Sequence, residues 1–129
     1  MNNLPKFSKE KKRILCVEDH KDTCELLAFL LSDYEIVFTD SIENSLKVFK
    51  QGNFDLCILD NWLTDGLGTE LCRQIRQINS QIPIVFASGV AQKLEIDKAI
   101  EAGAQAYLIK PYFPKELQQL VKDLIGKDL

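Results

Sequence analysis

Four consecutive apolar residues, Leu56, Cys57, Ile58 and Leu59, run without a polar break into Asp60. An uninterrupted run of this length reads as a strand buried on both faces, because a half-wet strand alternates with a period of two. Similar runs cover Ile14 to Val17, Ile36 to Phe38, Ile84 to Ala87 and Tyr107 to Ile109. Between them, apolar residues recur at helical spacing: Leu26, Leu27, Leu30 and Leu31; Ile42, Leu46 and Phe49; Leu71, Ile75 and Ile78; Ile96, Ala99 and Ile100. A last helical set is Leu117, Leu120, Val121 and Leu124. Five βα units with short connections predict a doubly wound α/β domain, in which a five-stranded parallel sheet is covered by helices on both faces.

Local punctuation agrees with this division. Asp40 and Glu43 have the spacing of a capping box, Pro114 suits a first helical turn, and Gly52 and Gly103 suit helix ends. The 129 residues leave room for one domain, expected over residues 13–126, after a polar tail over residues 1–12. The Lys9 to Arg13 charge run reads as part of that soluble tail.

Composition narrows the function classes. With 46% hydrophobic and 27% charged residues, the chain can form an ordinary core. A formal charge of -3 argues against direct nucleic-acid binding, which is driven by clustered Lys and Arg. The N-terminal segment lacks the apolar core of a signal peptide and no stretch is long enough to span a membrane, so the expectation is a cytoplasmic protein with no membrane insertion. Cys16, Cys24, Cys57 and Cys72 form no Cys-x-x-Cys pair and read as reduced, packing cysteines.

In open parallel sheets, chemistry sits beyond the carboxyl ends of the strands. Strand one ends in Glu18 and Asp19, strand three in Asp60, strand four in Ser88, and strand five in Lys110 followed by Pro111. If strands one and three are neighbours, three carboxylates share a crevice, and their repulsion calls for a cation. Oxygen ligands without clustered His or Cys suit a hard dication, Mg²⁺ first and Mn²⁺ as a possible substitute. On this reading Asp60 meets both Mg²⁺ and Lys110. The set suits phosphoryl transfer, with Asp60 as a carboxylate nucleophile and Ser88 as a donor to a phosphoryl oxygen.

The segments "ILCVED", "LCILDNWLTDGLG", "IPIVFASG" and "AGAQAYLIKPY" together resemble the receiver domain of two-component response regulators, in order and spacing, from about Arg13 to Ile125. The resemblance implies a stand-alone, chemotaxis-regulator-like switch with flavodoxin-like strand order 2-1-3-4-5. It implies Asp60 as phosphoacceptor, Asp19 and Asp60 as direct Mg²⁺ ligands, Glu18 acting through water, and the Trp62 carbonyl completing the protein ligands. Lys110, before a cis bond to Pro111, would pair with the phosphoryl group, and Ser88 and Tyr107 would be the switch pair. On this resemblance, movement of the loop after strand four lets Tyr107 turn inward. The implied donor is a histidine kinase or histidine phosphotransfer protein. A downstream protein would read the face formed by the fourth helix, fifth strand and fifth helix.

Three positions depart from the family pattern. Thr64 stands where Pro is frequent, Ser88 where Thr is frequent, and Trp62 is bulky for a residue bordering the phosphoryl site, with Val90 apolar beside the same approach. His20, the only histidine, reads as a solvated loop residue rather than a ligand or phosphocarrier. Two alternatives remain. A haloacid dehalogenase-type phosphatase would need a second Asp where Trp62 stands, and a pseudo-receiver would bind partners without phosphorylation.

Overall fold

The structure, a computed structural model, describes residues 11–126; most of the polar tail expected over residues 1–12 lies outside the described residues. Five strands form one parallel sheet: β1 (Arg13–Val17), β2 (Glu35–Thr39), β3 (Leu56–Leu59), β6 (Ile84–Ser88) and β7 (Ala106–Ile109). Their spatial order is β2-β1-β3-β6-β7, the expected order once the two extra short strands are counted. Those two, β4 (Trp62–Leu63) and β5 (Gly66–Leu67), pair antiparallel as a hairpin directly after Asp60. The helices are α1 (Lys21–Leu30), α2 (Ile42–Gln51), α3 (Gly68–Ile78), α4 (Lys93–Ala102) and α5 (Pro114–Gly126).

Alternate residues of each strand point to opposite faces, so the unbroken apolar runs supply two cores at once. Leu15, Val17, Cys57, Leu59, Ile84 and Phe86 pack with Phe49 of α2, Leu71 and Ile75 of α3, and Ala99 of α4. On the other face Ile14, Cys16, Leu56, Ile58 and Val85 meet Leu27 of α1 and Leu117 and Val121 of α5. Removing one of these fully buried leucines, such as Leu117, would cost about 2–5 kcal/mol by lost transfer energy and cavity formation.

Three helical residues expected in the core are exposed: Leu26, Ile78 and Ile100. Each flanks or follows a residue that does face the sheet. Leu27, with Leu31 just beyond α1, forms the buried stripe, so Leu26 is turned off it. Ile78 is the last residue of α3, and in α4 the small Ala99 takes the inner position, leaving Ile100 outside.

The start of α2 also differs from expectation. Ser41, not Asp40, is the N-cap, its hydroxyl accepting from Asn44 N at 3.1 Å. The remaining amides are satisfied from a distance: Asp65, at the tip of the β4–β5 hairpin, accepts from Ile42 N at 2.7 Å and Glu43 N at 3.2 Å. These bonds hold its carboxyl below the ordinary Asp range, Ile42 N contributing most. Thr64 Oγ1 donates to Asp40 O at 3.1 Å, so the hairpin is tied to α2 by two adjacent residues. Gly103 does end α4, in the left-handed region at φ 119°, as its position suggested.

All four cysteines are free thiols, three of them buried. Burial pushes the Cys16 and Cys57 thiols well up, as expected of packing residues rather than reactive ones.

Candidate functional site at the carboxyl rim

The residues just beyond the strands are held by one further rung of the ladder. Glu18 N donates to Thr39 O at 2.8 Å, Asp60 N to Val17 O at 3.1 Å, and Lys110 N to Ser88 O at 2.8 Å. Backbone pairing thus continues one residue past the apolar runs, which places the polar side chains at the lip of the sheet. The rim is closed also by Gly68, the first residue of α3, whose N–H donates to Asn61 O at 2.8 Å. A Cβ there would collide with the Asp60 carbonyl oxygen, so only glycine lets α3 approach the end of β3 this closely.

Glu18 is only 5% exposed, and both of its oxygens are engaged. Lys110 Nζ donates to Oε1 at 2.9 Å, and His20 N donates to Oε2 at 3.1 Å. The ion pair of Lys110 therefore falls on Glu18, not on Asp60 as the sequence led one to expect. The physical reason is desolvation: the more deeply buried carboxylate has the greater need of a cation. Lys110 precedes a cis peptide bond to Pro111, as the family resemblance implied.

Asp60 is partly exposed at the opening of the rim, and its Oδ1 accepts from Asn61 N at 2.7 Å. Burial pushes its carboxyl above the ordinary Asp value; Lys110 pulls it back, the charge of Glu18 raises it, and the N–H groups of Asn61 and Trp62 lower it. Asp19, just past the end of β1, is exposed, and one of its oxygens lies 3.5 Å from His20 Nδ1. The tightest cluster of possible metal ligands among the described residues is Glu18, Asp19 and His20, whose ligand atoms all lie within 4.8 Å of one another. Asp60 stands outside that group. In the sequence His20 reads as a solvated loop residue rather than a ligand, because an isolated His after an acidic pair has no metal-ligand spacing to recommend it.

Ser88 is fully buried, and its Oγ accepts from Val90 N at 3.1 Å. That bond uses a lone pair and leaves the hydroxyl proton free to donate. The Tyr107 hydroxyl donates to Val90 O at 2.7 Å, and its ring stacks on Phe86 with centroids 5.7 Å apart. The ring is thus already seated against the loop whose movement it was expected to follow. Val90 is held from both sides, by Ser88 at its N–H and by Tyr107 at its carbonyl. Trp62 is 62% exposed and lines a groove of about 750 Å³ together with Leu67, Val90 and Leu94. The indole and Val90 do share one surface, as their positions suggested.

Comparison with known proteins bears on the whole arrangement. Residues 14–122 match the response regulator receiver domain family. The chain is 31% identical over 118 residues to the alkaline phosphatase synthesis transcriptional regulatory protein PhoP of Bacillus subtilis, covering 90% of this chain and 49% of that protein. It thus spans about half the length of this curated relative. Its fold superposes on a two-component response regulator from Clostridium difficile with a TM-score of 0.87 at 28% identity, covering 92% of this chain and 98% of that one. A receiver domain of the sensor histidine kinase PA1611 from Pseudomonas aeruginosa, described with a magnesium ion coordinated in its active-site cleft, shares the fold with a TM-score of 0.82 at 23% identity, covering 90% of this chain and 98% of that one. The sheet order, the acidic and basic side chains at its carboxyl rim and the match along most of the chain lead to one conclusion: this chain belongs to the response regulator receiver domain family.

Proposed function

We propose that this chain, over residues 13–126, is a phosphorylation-operated switch in which Asp60 accepts a phosphoryl group from a phosphohistidine of a histidine kinase or histidine phosphotransfer protein. As a member of its family it is a regulatory phosphoacceptor domain. The observation that carries the assignment of Asp60 is its position: it is the partly exposed carboxylate that ends β3, the strand lying in the sheet between β1, which leads into Glu18 and Asp19, and the β6–β7 side, which leads into Lys110.

The residues present fit a divalent cation. Both oxygens of Glu18 are already engaged by Lys110 and a backbone N–H, which suits a role through water, whereas Asp19 keeps acceptor capacity for direct ligation. Asp19, Asp60 and the Trp62 carbonyl would hold Mg²⁺, or Mn²⁺ in its place. When bound, the ion supplies charge neutralisation for the incoming phosphoryl oxygens.

The chain's own residues do the rest. A carboxylate oxygen of Asp60 attacks phosphorus, the P–N bond to the donor imidazole breaks, and its electron pair returns to the ring nitrogen. Lys110 can turn from Glu18 toward the new dianion, a greater concentration of charge than one carboxylate. The free hydroxyl proton of Ser88 donates to a phosphoryl oxygen while Val90 N–H remains bonded to Oγ. A shift of Ser88 then drags Val90, and Val90 carries Tyr107 with it through the 2.7 Å bond. Through this chain of contacts the face of α4, β7 and α5 changes, and a downstream protein reads it.

The test is intact-mass measurement after incubation with acetyl phosphate and Mg²⁺. The wild type is expected to gain the mass of one phosphoryl group, labile to hydroxylamine, and Asp60→Asn to gain none. Equal gain by both would refute the assignment.

A further inference from the structure

We propose that His20 is a nitrogen ligand of the metal pocket and makes it select a borderline first-row ion, such as Co²⁺ or Zn²⁺, over Mg²⁺. The inference rests on the reading that the acid pair binds a divalent ion, and goes beyond it by adding a side chain and an ion class.

Three observations carry it. The imidazole Nδ1 faces both carboxylates, 3.5 Å from Asp19 Oδ1 and 3.6 Å from Glu18 Oε2. Those separations are close to the ~3 Å edge of a coordination octahedron with bonds of ~2.1 Å, so after small adjustments one ion can touch Nδ1 and the Asp19 oxygen directly, with Glu18 reaching it through water. Second, the ring is committed to nothing else. It is 79% exposed, and although His20 is the N-cap residue of α1, its side chain makes no capping bond. Third, the backbone presets its place: His20 N donates to Glu18 Oε2 at 3.1 Å, which fixes the start of the helix on which the ring stands.

A ring nitrogen set against two carboxylate oxygens calls for a shared cation, a proton or a metal ion, and a divalent ion serves all three atoms at once. Mg²⁺ prefers oxygen ligands and retains its waters, whereas imidazole favours the later ions of the first row. The ring thereby changes which ion the pocket prefers, while the oxygen ligands set whether it binds one at all.

The experiment uses the full chain without an affinity tag and titrates Mg²⁺ and Co²⁺ separately by calorimetry, for wild type, His20→Ala and Asp19→Asn. A nitrogen ligand of this kind is worth about tenfold in affinity. His20→Ala is therefore expected to weaken Co²⁺ about tenfold and Mg²⁺ less than twofold. Asp19→Asn is expected to weaken both alike. As His20 is the chain's only histidine, proton NMR of the Co²⁺ form gives an unambiguous second readout. Hyperfine-shifted imidazole resonances are expected in the wild type and absent from His20→Ala. Unchanged Co²⁺ affinity in His20→Ala, or the absence of shifted ring protons, would overturn the proposal while leaving the pocket intact. Tighter Co²⁺ binding in His20→Ala would overturn it too, by showing the ring to be a competing cation. If neither ion bound the wild type, the reading of the pocket itself would fall.

Discussion

The two rims of the sheet are built from similar residue types and do opposite things. At the amino rim, polar side chains close on themselves. Arg76 donates to Gly103 O at 3.0 and 2.8 Å, to Asn79 O at 3.2 Å and to Gln105 Oε1 at 2.9 Å, and that oxygen also accepts from Ile84 N at 2.7 Å. Asn79 Oδ1 takes Gln81 N and Ile82 N, and Asp55 Oδ2 takes Arg13 N at 2.8 Å. The donors there meet backbone, amide or carboxylate acceptors, Arg13 Nε lying 3.4 Å from Glu35 Oε2, so the rim is a seal. At the carboxyl rim, Lys110 shares one carboxylate while Asp19 and Asp60 keep acceptor capacity, and the Ser88 hydroxyl keeps a proton to give. Unspent hydrogen-bonding and charge at the lip of a well-packed sheet is what distinguishes a site from a seal.

The largest expected effects come from removing the cation at each rim. Lys110→Ala leaves the buried Glu18 without its partner; discounted for the partial exposure of Lys110, the cost is about 2–3 kcal/mol of stability. It should also abolish efficient phosphoryl uptake, and Glu18→Gln in the same chain should restore much of the stability and none of the uptake. Arg76→Ala should cost about 1–2 kcal/mol through unsatisfied carbonyls and leave uptake unchanged. Denaturant melts and mass spectrometry together read both. Loss of uptake in Arg76→Ala would erase the distinction between the rims.

A smaller effect concerns the lifetime of the phosphoryl group. Hydrolysis needs a water in line with the bond to Asp60; Trp62, two residues past Asp60, shares an apolar groove with Val90, and on our reading that surface borders the approach. Trp62→Asn should speed phosphoryl loss about tenfold, or ~1.4 kcal/mol in barrier, with Mg²⁺ affinity unchanged since the proposed ligand is the backbone carbonyl. Decay at or below the wild-type rate would show that the indole does not guard the group.

The smallest expected effect is on the resting fold. Burial holds the Asp60 carboxyl above its ordinary value of 3.8, so the folded state binds more protons than the unfolded one between the two values. Stability is then lost as pH rises through that interval, and the ionised carboxylate weakens the fold at neutral pH. Asp60→Asn should melt at a higher temperature than wild type at pH 7, with the gain shrinking as pH falls below the ordinary Asp value. A gain that is constant with pH would assign the effect to something other than ionisation.

Most of this architecture is legible in the chain because buried parallel strands announce themselves as unbroken apolar runs. The residue after each run is then a candidate by position alone, which is how Glu18, Asp19, Asp60, Ser88 and Lys110 are found. The β4–β5 hairpin is not legible, since strands of two residues have no periodicity to detect. Nor is the capping of α2 by Asp65, a bond between residues far apart in sequence, while a nearer candidate, Asp40, has the right spacing. Which carboxylate Lys110 meets depends on relative burial, a property of the folded sheet. The expected inward movement of Tyr107 likewise could not reveal that its hydroxyl already rests on Val90.

The most direct test of the central claim is to locate the phosphoryl group. Wild-type protein loaded with acetyl phosphate and Mg²⁺ would be reduced with borohydride, which converts an aspartyl phosphate to homoserine, and then digested for tandem mass spectrometry. Homoserine at position 60 alone is the predicted result. Homoserine at Asp19 or Asp65 with position 60 unmodified, or a phosphoryl group retained on Ser88, would contradict it.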